Sequence, residues 1–574
     1  MHYKILPQPS PDFLKKYSDF NPVILSIFWQ RGIRNQEEIN EFLNPEYDQK
    51  KYDPYQFKEM KTVVKRILKA ASNKERILVY GDYDADGVCA SVLMIETLEK
   101  LYGLRAIRQT QDLIQVYLPH REEEGYGLNL KAVEYIKQKK IELLIACDCG
   151  STNIAELQAL ADSQIDVIVI DHHIAPARRP PVYGFINPKF EAEAYPFRQL
   201  SAGGVVFKVM QALRIDLGEA FEKWVLDLVA ISTVADVMPL LGENRVLVKW
   251  GLVVLNKTRR LGLQALIRAA QIKKQIGTYE IGFMIGPRIN AAGRLDHANI
   301  AFDLLRQREE AQAKKEAEKL NKTNEYRQKM TELIFKKCEV QIKPQIENKD
   351  RILIAYNLKK DKWPVGLIGL AAGRLTDKFN RPAFVISLAE HGLSGSGRSI
   401  EKFDVMAGLE QVKNLFRKYG GHSQACGFTF ADCQLRLIRQ FKQKLENYAR
   451  QELKDDDLIP RTQVSVEIQF SDITWGLLRE INRMEPFGAA NAKPLFLTKG
   501  AKVRSVRVMG LKQDHIKIIL EQNKTEQEAV FFRCQECHKQ IKHGDIVDVI
   551  YNIEINEWHG EKRIQLVLKN LKTP

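Results

Sequence analysis

The chain has 574 residues, of which 45% are hydrophobic and 28% are charged. This length exceeds one ordinary hydrophobic core, so we expect several domains, and the composition excludes an extensively disordered chain. Lys and Arg together number 87 against 72 Asp and Glu, a net charge of +15. That excess favours a polyanionic partner without requiring one, because many basic enzymes never bind nucleic acid.

The sequence also allows predictions about the cellular compartment and about the chemistry of the cysteines. Residues 1–10 lack a continuous apolar signal segment, and no uncharged apolar run is long enough to cross a bilayer, so we expect a cytoplasmic protein without a membrane partner. The eight cysteines are scattered, as is typical of reduced thiols. Cys534, Cys537 and His538 have the spacing of half a zinc site, with His543 nearby, but no second Cys pair follows and we interpret the thiols as incidental.

The N-terminal half predicts an α/β domain. Residues 1–50 carry no recognisable chemistry and read as an adaptor segment. Apolar runs then alternate with helical stretches, which predicts a parallel sheet with crossover helices. The predicted strands are Ile77 to Tyr80, Ile114 to Leu118, Ile141 to Cys147 and Ile165 to Ile170.

Three further elements are predicted after this domain. Arg306 to Lys343 is rich in Glu, Lys, Gln and Ala and predicts a long solvated connector helix. A second, smaller α/β unit follows, with strands at Arg351 to Tyr356 and Ala383 to Ser387 around a helix near Gly366 to Lys378. After Asp457, short β-rich runs predict a small barrel of the oligonucleotide-binding (OB) type. These runs are Gln463 to Phe470, Lys502 to Val508, His515 to Leu520, Glu528 to Phe532, Val547 to Ile555 and Arg563 to Leu568.

Basic and aromatic residues of the predicted barrel are candidates for binding a nucleic-acid strand. They offer charge and stacking surfaces, although aromatics that simply fill the core are an equally good interpretation. The candidates are Arg504, Arg507, Lys512, Lys517, Phe531, Phe532, Arg533 and Trp558.

Acidic residues and histidines collect directly after the strands of the first domain. Asp82, Asp84 and Asp86 follow the first strand, Asp148 follows the third, Asp171, His172 and His173 follow the fourth, and a helical segment from Phe221 delivers Asp236. In an open parallel sheet, ligands bind at the carboxyl ends of the strands, so these groups should share one crevice. Each group alone has a harmless interpretation as a helix cap or a surface turn. Together, the carboxylates repel one another unless cations neutralise them.

Carboxylates with one or two imidazoles suit Mn²⁺ or Mg²⁺ better than a structural zinc. Two adjacent ions would hold an attacking water beside a scissile phosphate. The residues alone therefore predict metal-dependent phosphoester hydrolysis.

The same residues resemble a known family. Asp84-Ala-Asp86-Gly, Asp148-Cys-Gly and Asp171-His-His173 are similar to successive motifs of the DHH phosphoesterases, which include RecJ nucleases, small-oligonucleotide phosphodiesterases and manganese pyrophosphatases. Further blocks resemble those of RecJ nucleases in the same order, over roughly residues 20 to 570. The blocks are Gly81 to Gly87, Pro119-His-Arg121, Glu124 to Gly127, Pro287 to Arg294, Gly395 to Ser399 and Gly420 to Gly427.

The resemblance implies an α/β parallel-sheet DHH domain, a connector helix, a smaller α/β DHH-associated domain and a C-terminal OB-like β-barrel. The segments that we predict are the adaptor (1–50), the DHH catalytic domain (51–260), the linking segment with the connector helix (261–345), the DHH-associated substrate-binding domain (346–455) and the OB-like nucleic-acid-binding domain (456–574).

The resemblance also implies roles for individual residues. The implied metal ligands are Asp84, Asp86, Asp148, His172 and Asp236, with Asp82 and Asp171 bound directly or next to the ligands, and Asp84 and Asp86 also count as catalytic. His173 would be the catalytic residue that faces the substrate, where it stabilises the phosphorane or protonates the leaving oxygen.

Substrate binding is implied for a second set of residues. Arg288, Asn290 and Arg294 lie in what resembles the family's phosphate-reading loop, and an Arg fork suits bidentate phosphate contact. Arg121, Ser396 and Arg398 are implied to grip a 5′-terminal phosphate, with ordinary surface salt bridges as the alternative for each Arg. His422 resembles the closing motif of the second domain, which would cover the crevice. One departure is Trp363-Pro364, where RecJ chains often read Trp-His.

The implied function is a single-stranded-DNA-specific exonuclease that works 5′ to 3′ with two divalent cations, Mn²⁺ or Mg²⁺, and releases 5′-mononucleotides in DNA repair and recombination. A single-strand-binding protein and a RecQ-type helicase are the implied partners. Two alternatives stay open: a DHH phosphodiesterase of short RNA oligonucleotides or signalling dinucleotides, and a non-catalytic replication scaffold that has lost its metals. The β-rich module after residue 460 speaks against the first, and the intact Asp and His positions speak against the second.

Overall fold

A computed structural model describes residues 2–47, 52–103, 113–359, 362–389, 392–510, 513–534, 541–558 and 560–572, without the side chains of residues 215, 216 and 558. Lys512, Cys537, His538 and the Trp558 side chain, all named above, lie outside this description. The chain forms two compact units, one of residues 52–238 and 250–459 and the other of residues 1–51, 239–249 and 460–574.

The larger unit begins with a parallel sheet of five strands, which confirms the predicted α/β domain. In spatial order the strands are Ile114–Tyr117, Ile77–Tyr80, Leu143–Cys147, Asp166–Ile170 and Gly184–Ile186. Leu143–Cys147 is buried along its whole length, which explains why it is a continuous apolar run rather than an alternating one. The edge strand Gly184–Ile186 is an addition to the prediction, since three residues are too short to show a pattern.

Helices cover this sheet and lead away from it. Those of the sheet domain are Met60–Asn73, Ala85–Leu101, Leu130–Gln138, Ile154–Ala161, Ala202–Ala212, Arg214–Leu217, Glu219–Trp224 and Leu226–Ala235. Those that follow are Gly242–Leu255, with residues in both units, then Leu261–Ala269, Thr278–Glu280, the π-helical turn Ile281–Ile285, Gly286–Leu295 and Asn299–Arg306. The predicted connector helix is Glu310–Glu347, 38 residues long.

The second α/β domain has a mixed sheet. Its strands, in spatial order, are Phe416–His422, Ala425–Phe430, Gly392–Arg398, Ala383–Ala389 and Leu353–Asn357, and its helices are Val365–Phe379, Val405–Glu410 and Leu435–Glu452. The prediction contains only Leu353–Asn357, Ala383–Ala389 and Val365–Phe379. The strand Gly392–Arg398 was missed because it alternates Gly and Ser where strands usually carry branched side chains, and aromatic rings such as that of Phe428 fill the space above its glycines.

The smaller unit contains the predicted barrel. Five strands close on themselves, because Phe496–Met509 pairs with both His515–Gln522 and Ile546–Trp558. The remaining barrel strands are Thr525–Phe531 and Glu561–Lys572, preceded by the short strands Thr462–Val464 and Val466–Glu467 and the helix Trp475–Arg483.

The N-terminal segment belongs to this unit. Its strand Tyr3–Ile5 pairs in parallel with Thr462–Val464. Its helices are Pro11–Lys16, Pro22–Gln30 and Gln36–Leu43, and their apolar residues, such as Phe28, join the hydrophobic core of the barrel. The exact segment boundaries given above stay predictions.

Two chemical expectations can be compared with the described residues. Cys534 is disulfide-bonded, so the interpretation of an incidental reduced thiol is wrong there, whereas the cysteines at 89, 147, 149, 338, 426 and 433 are free. Within the described part of the chain, the helices are all too short or too polar to span a membrane.

Candidate active site

The first acidic loop follows the strand Ile77–Tyr80. Asp84 is the N-cap of the helix Ala85–Leu101, and its Oδ1 accepts hydrogen bonds from the backbone N–H of Asp86 and Gly87 at 2.9 and 3.1 Å. The N–H of Ala85 donates to Asn290 Oδ1 at 2.7 Å. This loop is therefore held by its own cap and by the helix Gly286–Leu295.

Two acids of the site lie at the ends of other elements. Asp148 directly follows the strand Leu143–Cys147 in a left-handed conformation with φ of 66°, a conformation that is uncommon outside glycine and often marks functional loops. Asp236 is the C-cap of the helix Leu226–Ala235. Their side chains reach the same crevice as His172: its Nε2 is 3.2 Å from Asp148 Oδ1 and 3.6 Å from Asp236 Oδ2.

Potential ligand atoms converge in three overlapping groups, each within 4.8 Å. The groups are Asp82, Asp84 and Asp148; Asp148, His172 and His173; and Asp86, His172 and Asp236. Asp148 and His172 each belong to two groups, so they join the outer ones into a single continuous cluster.

Buried polar atoms in this cluster lack hydrogen-bond partners. Among the described residues, Asp82 Oδ1, Asp148 Oδ1, Asp236 Oδ2 and His172 Nδ1 are buried without one. Burial, followed by the charges of Asp86 and Asp84, raises the pKa of Asp148 well above its usual range and that of Asp236 to about 8. Burial and the charge of Asp84 likewise raise the pKa of Asp82. Hard oxygen ligands that repel one another and lack partners fit a divalent cation.

Asp86 is held in place by a helix N-terminus. The N–H groups of Ala202 and Gly203 donate to its two carboxylate oxygens, each at 2.9 Å, and the Ser232 hydroxyl donates to Oδ1. A helix N-terminus offers free backbone N–H donors, so it fixes the position of the Asp86 carboxylate. These partners were not predictable from the sequence, because nothing in its pattern links residues more than 100 positions apart.

Asp171 and His173 form a hydrogen-bonded pair beside the cluster. His173 Nδ1 lies 2.8 Å from Asp171 Oδ1 and 2.9 Å from the Tyr126 hydroxyl. Burial alone would lower the pKa of His173, but the hydrogen bond and charge of Asp171 raise it to about 9. Asp171 also accepts backbone N–H groups from His172, His173 and Ser151, so its oxygens are largely occupied and it lies outside the three ligand groups. Its predicted place among the ligands stays a prediction.

Tyr126 is a site residue without an assigned role in the sequence analysis. It lies in the Glu124 to Gly127 block, and its hydroxyl also donates to the backbone carbonyl of Asp148 at 3.1 Å. Its only sequence signal was membership of that block. The hydroxyl connects the left-handed Asp148 turn to the ring of His173.

The segment that we predicted as a phosphate-reading loop forms the helix Gly286–Leu295. Its Gly and Pro suggested a loop, but they stand in the first turn of the helix, where proline is tolerated. Asn290 Oδ1 is engaged by Ala85, and Arg288 donates to Asn321 Oδ1 at 2.9 Å and to the Met284 carbonyl at 2.7 Å. Arg294 donates to the Gly366 carbonyl at 3.0 Å, which connects this helix to the second α/β domain.

Arginines from both α/β domains lie close enough for their charges to affect one another. Burial first, and then the charge of Arg121, lower the pKa of Arg294 to about 9. Burial lowers the pKa of Arg398, with a smaller contribution from Arg121 in the same direction. Arg398 donates to Ser396 Oγ at 3.1 Å, and the Arg121 guanidinium lies 4.7 Å from the Tyr83 ring centroid. Clustered cations of this kind fit a phosphate group.

His422 ends the strand Phe416–His422, and its pKa is lowered by burial and then by the charges of His173 and Lys189. Its ring therefore feels the charge of the crevice that the resemblance implies this domain covers. Pro364 is the N-cap of Val365–Phe379.

Some of the candidate barrel residues are ion-paired or packed in the core, and one aromatic residue is exposed. Arg504 pairs with Glu521 and Lys517 pairs with Glu528, whereas Phe531 packs against the barrel core. Phe532 is 52% exposed and lies edge-on to His515. Phe531 therefore belongs to the core, whereas Phe532 has an exposed ring surface that could stack on a base.

Comparison with known proteins decides the family. Residues 76–233 match the N-terminal domain of the DHH family, residues 349–451 match the DHHA1 domain and residues 464–570 match the RecJ OB domain. The single-stranded-DNA-specific exonuclease RecJ of Bacillus subtilis (strain 168) is 33% identical over 98% of this chain and 70% of its own length. The chain belongs to the RecJ family.

Solved RecJ structures share the fold and contain metal. RecJ from Thermus thermophilus in complex with Mn²⁺ matches with a TM-score of 0.83 and 26% identity over all of this chain and 80% of that chain. The same protein in complex with Mg²⁺ matches with a TM-score of 0.77 and 25% identity, over all of this chain and 78% of that one. The predicted fold class, RecJ resemblance and class of enzyme, a metal-dependent nuclease, are confirmed.

Proposed function

We propose that this protein is a single-stranded-DNA-specific exonuclease that hydrolyses phosphodiester bonds 5′ to 3′ and releases 5′-mononucleotides. The observation that carries the proposal is the cluster of mutually repelling, partly unpaired carboxylates and His172 at the carboxyl ends of the parallel strands. The proposed substrate, single-stranded DNA, rests on the RecJ relatives, which are named as single-stranded-DNA-specific exonucleases. The segment boundaries predicted from the sequence form part of the proposal.

The ligand assignment follows the geometry. Two cations, Mn²⁺ or Mg²⁺, would be held by Asp82, Asp84, Asp86, Asp148, His172 and Asp236, with Asp171 as a supporting residue. When bound, such cations acidify water and neutralise charge on a phosphate. The protein itself fixes the ligand positions: the Ala202 and Gly203 amides hold Asp86, and the helix cap holds Asp84.

His173 would act on the leaving oxygen. Asp171 and Tyr126 fix its ring through Nδ1, so Nε2 is the atom left to hold or donate a proton. The raised pKa favours the protonated form of the ring, which suits a general acid.

The arginine cluster would bind a terminal phosphate and set the polarity. Arg121, Arg294 and Arg398 would neutralise the phosphate, with Ser396 beside Arg398 as a further donor. Arg288, Asn290 and His422 complete the proposed substrate-binding set, with Asn290 acting through the Ala85 amide. A 5′-phosphate held at a fixed distance from the metal cluster would place the first phosphodiester for cleavage.

The cellular setting is part of the proposal and rests on the family. We propose cytoplasmic action in DNA repair and recombination, with a single-strand-binding protein and a RecQ-type helicase as partners that supply the single strand.

The test is hydrolysis of 5′- and 3′-labelled single-stranded and duplex DNA and RNA with Mn²⁺ or Mg²⁺. The proposal expects early release of the 5′ label from single-stranded DNA, and loss of hydrolysis in Asp84→Ala but not in Asp162→Ala, an exposed acid of the same domain. Early release of the 3′ label would contradict the polarity. A preference for dinucleotides, or a chain that binds strands without metal or hydrolysis, would favour the two alternatives considered above.

A further inference from the structure

Two aromatic side chains stack on each other at the surface of the larger unit. The rings of Tyr279 and Phe283 have centroids 4.9 Å apart and planes inclined by 28°. Both are largely exposed, Tyr279 by 60% and Phe283 by 68%. Large aromatic side chains bury a great deal of area when they can, so an exposed stacked pair indicates a surface that binds something.

This aromatic pair lies on the helical rod that leads to the catalytic cluster. Thr278–Glu280, the π-helical turn Ile281–Ile285 and Gly286–Leu295 follow one another without interruption, and the far end carries Arg294. A π-helical turn inside a helix is rare and is frequently found at functional sites. The rod from Phe283 to Arg294 spans about 16 Å at about 1.5 Å per residue, so the pair stands several nucleotides from the arginine cluster.

The rod also packs beside Asp236. A Cβ placed on Gly286 would lie 3.3 Å from the Ala235 Cβ, and one on Gly282 would lie 3.9 Å from Val234 Cγ1. Ala235 directly precedes Asp236 in the chain. The aromatic pair is therefore on the element that contacts the helix end bearing a proposed metal ligand.

Val237, next to Asp236, has an unusual backbone conformation and an exposed side chain. Its φ is 56°, it is 70% exposed, and it occupies the position after the helix cap that glycine normally takes. The cap is formed by Val237 N–H donating to the Val234 carbonyl and Met238 N–H donating to that of Thr233. A branched side chain in a left-handed conformation is strained, so an exposed valine here points to a role for its isopropyl group.

Cationic side chains lie beside the pair, each with an acid nearby. Lys274 Nζ lies 5.8 Å from the Tyr279 ring centroid, and Arg288, half-buried one turn beyond Phe283, donates to the Met284 carbonyl. Two acids lie nearby: Glu280 pairs with Lys274 at 3.0 Å, and Glu325 lies close enough to raise the pKa of Arg288 against the larger effect of burial. Stacked rings beside cations are the combination that binds unpaired bases and their phosphates.

We infer that Tyr279 and Phe283 stack on bases of the single strand whose end lies in the catalytic crevice, and that Val237 contacts the same strand beside Asp236. This inference rests on the proposed function and adds a base-stacking surface to it. Stacking on aromatic rings tolerates any base, so the surface would hold the strand without reading its sequence.

The test uses the full chain with Mn²⁺ and a 5′-phosphorylated, single-stranded 12-mer of deoxythymidylate. Tyr279→Leu/Phe283→Leu keeps the helix apolar and removes both rings. The matched control, Tyr279→Phe/Phe283→Tyr, keeps two rings. We expect KM to rise about tenfold in the leucine variant, at the lower end of what stacking of one base contributes, with kcat nearly unchanged and the control like wild type.

A second readout reports stacking directly. Phosphorothioate-linked 12-mers carrying 2-aminopurine at successive positions should show fluorescence quenching at one or two interior positions with wild type and control, and none there with the leucine variant. Unchanged KM and unchanged quenching in the leucine variant would overturn the inference while leaving the nuclease proposal intact. Failure of the wild type to hydrolyse the strand would overturn both.

Val237 has its own matched pair. Val237→Ala and Val237→Gly remove the same isopropyl group, but only glycine relieves the backbone strain. Equal increases in KM in the two variants, with Val237→Gly at least as resistant to thermal unfolding as wild type, would support the contact. A KM that stays at the wild-type value in Val237→Gly would overturn it.

Discussion

Gly293 lies directly against the backbone of Tyr83, so closely that a Cβ at Gly293 would stand 2.2 Å from the Tyr83 carbonyl oxygen. Tyr83 lies in the acidic loop between Asp82 and Asp84. The next residue of the helix makes a similar approach to the second α/β domain, because a Cβ on Gly366 would lie 2.4 Å from the Arg294 carbonyl oxygen. Glycine at these two positions lets the acidic loop, the arginine-bearing helix and the second domain pack together.

Gly293→Ala should therefore displace the acidic loop. The contact is with backbone, which cannot rotate away, so we expect nuclease activity to fall at least a hundredfold, a loss of about 3 kcal/mol in transition-state stabilisation. Gly282→Ala, in the same rod, meets only an ordinary contact at 3.9 Å and serves as the control. Activity close to wild type in Gly293→Ala would show that the loop position does not matter.

Asp148→Asn should stabilise the metal-free protein and weaken its binding of Mn²⁺. The raised pKa of Asp148 means that its ionised form destabilises the metal-free protein at neutral pH, and asparagine removes that charge. We expect the metal-free variant to unfold at a higher temperature than wild type and to bind Mn²⁺ much more weakly by calorimetry.

The stability difference has a defined pH dependence. A carboxyl whose folded pKa is raised loses its contribution to stability as pH rises through that value, so the advantage of Asp148→Asn should shrink as pH falls. Asp162→Asn, at an exposed acid, is the control. An equal or lower unfolding temperature for metal-free Asp148→Asn at neutral pH would contradict the repulsion that we describe.

Tyr126→Phe should lower kcat while leaving KM almost unchanged. The change removes one hydroxyl that bonds both His173 Nδ1 and the Asp148 carbonyl, worth about 1 kcal/mol, or roughly fivefold in rate. Tyr135→Phe, whose hydroxyl bonds Gln115 at 3.3 Å, is the matched control. Steady-state kinetics that show only a KM effect would argue against a positioning role for Tyr126.

Arg398→Ala should remove any preference for 5′-phosphorylated over 5′-hydroxyl strands. The guanidinium is mostly buried beside Ser396 and near Arg121, so its loss removes charge-assisted bonds worth about 1.5 to 3 kcal/mol. Arg436→Ala, at an exposed position of the same domain, is the control. If Arg398→Ala keeps the preference for 5′-phosphorylated strands, the terminal phosphate binds to other residues.

Arg245→Met should destabilise the smaller unit. Arg245 is 2% exposed, and its guanidinium donates to the carbonyls of Phe42, Met484 and Glu485, which join the N-terminal, central and C-terminal segments of that unit. The loss of these buried hydrogen bonds should cost about 3 kcal/mol or more. Urea unfolding followed by tryptophan fluorescence measures it, and an unchanged midpoint would show that the guanidinium is dispensable.

Sequence patterns predicted the elements whose burial is uniform and the acids that follow them. The apolar run Leu143 to Cys147 predicts its strand because both faces of that strand are buried. Asp148 follows it at the edge of the sheet where ligands bind. The Gly392–Arg398 strand was not predictable, because the residues that fill its surface lie on other strands. The Asp86 contacts with Ala202 and Gly203, and the pairing of Tyr3–Ile5 with Thr462–Val464, depend on distant segments for which periodicity carries no signal.

The most direct measurement of the central claim is anomalous X-ray diffraction at the manganese edge from crystals grown with Mn²⁺. We predict two anomalous peaks, one among Asp82, Asp84 and Asp148 and the other among Asp86, His172 and Asp236, with the first lost in crystals of Asp148→Asn. A single peak would contradict the two-metal proposal. The absence of any peak at these residues, in crystals of an active preparation, would contradict the assignment of the site itself.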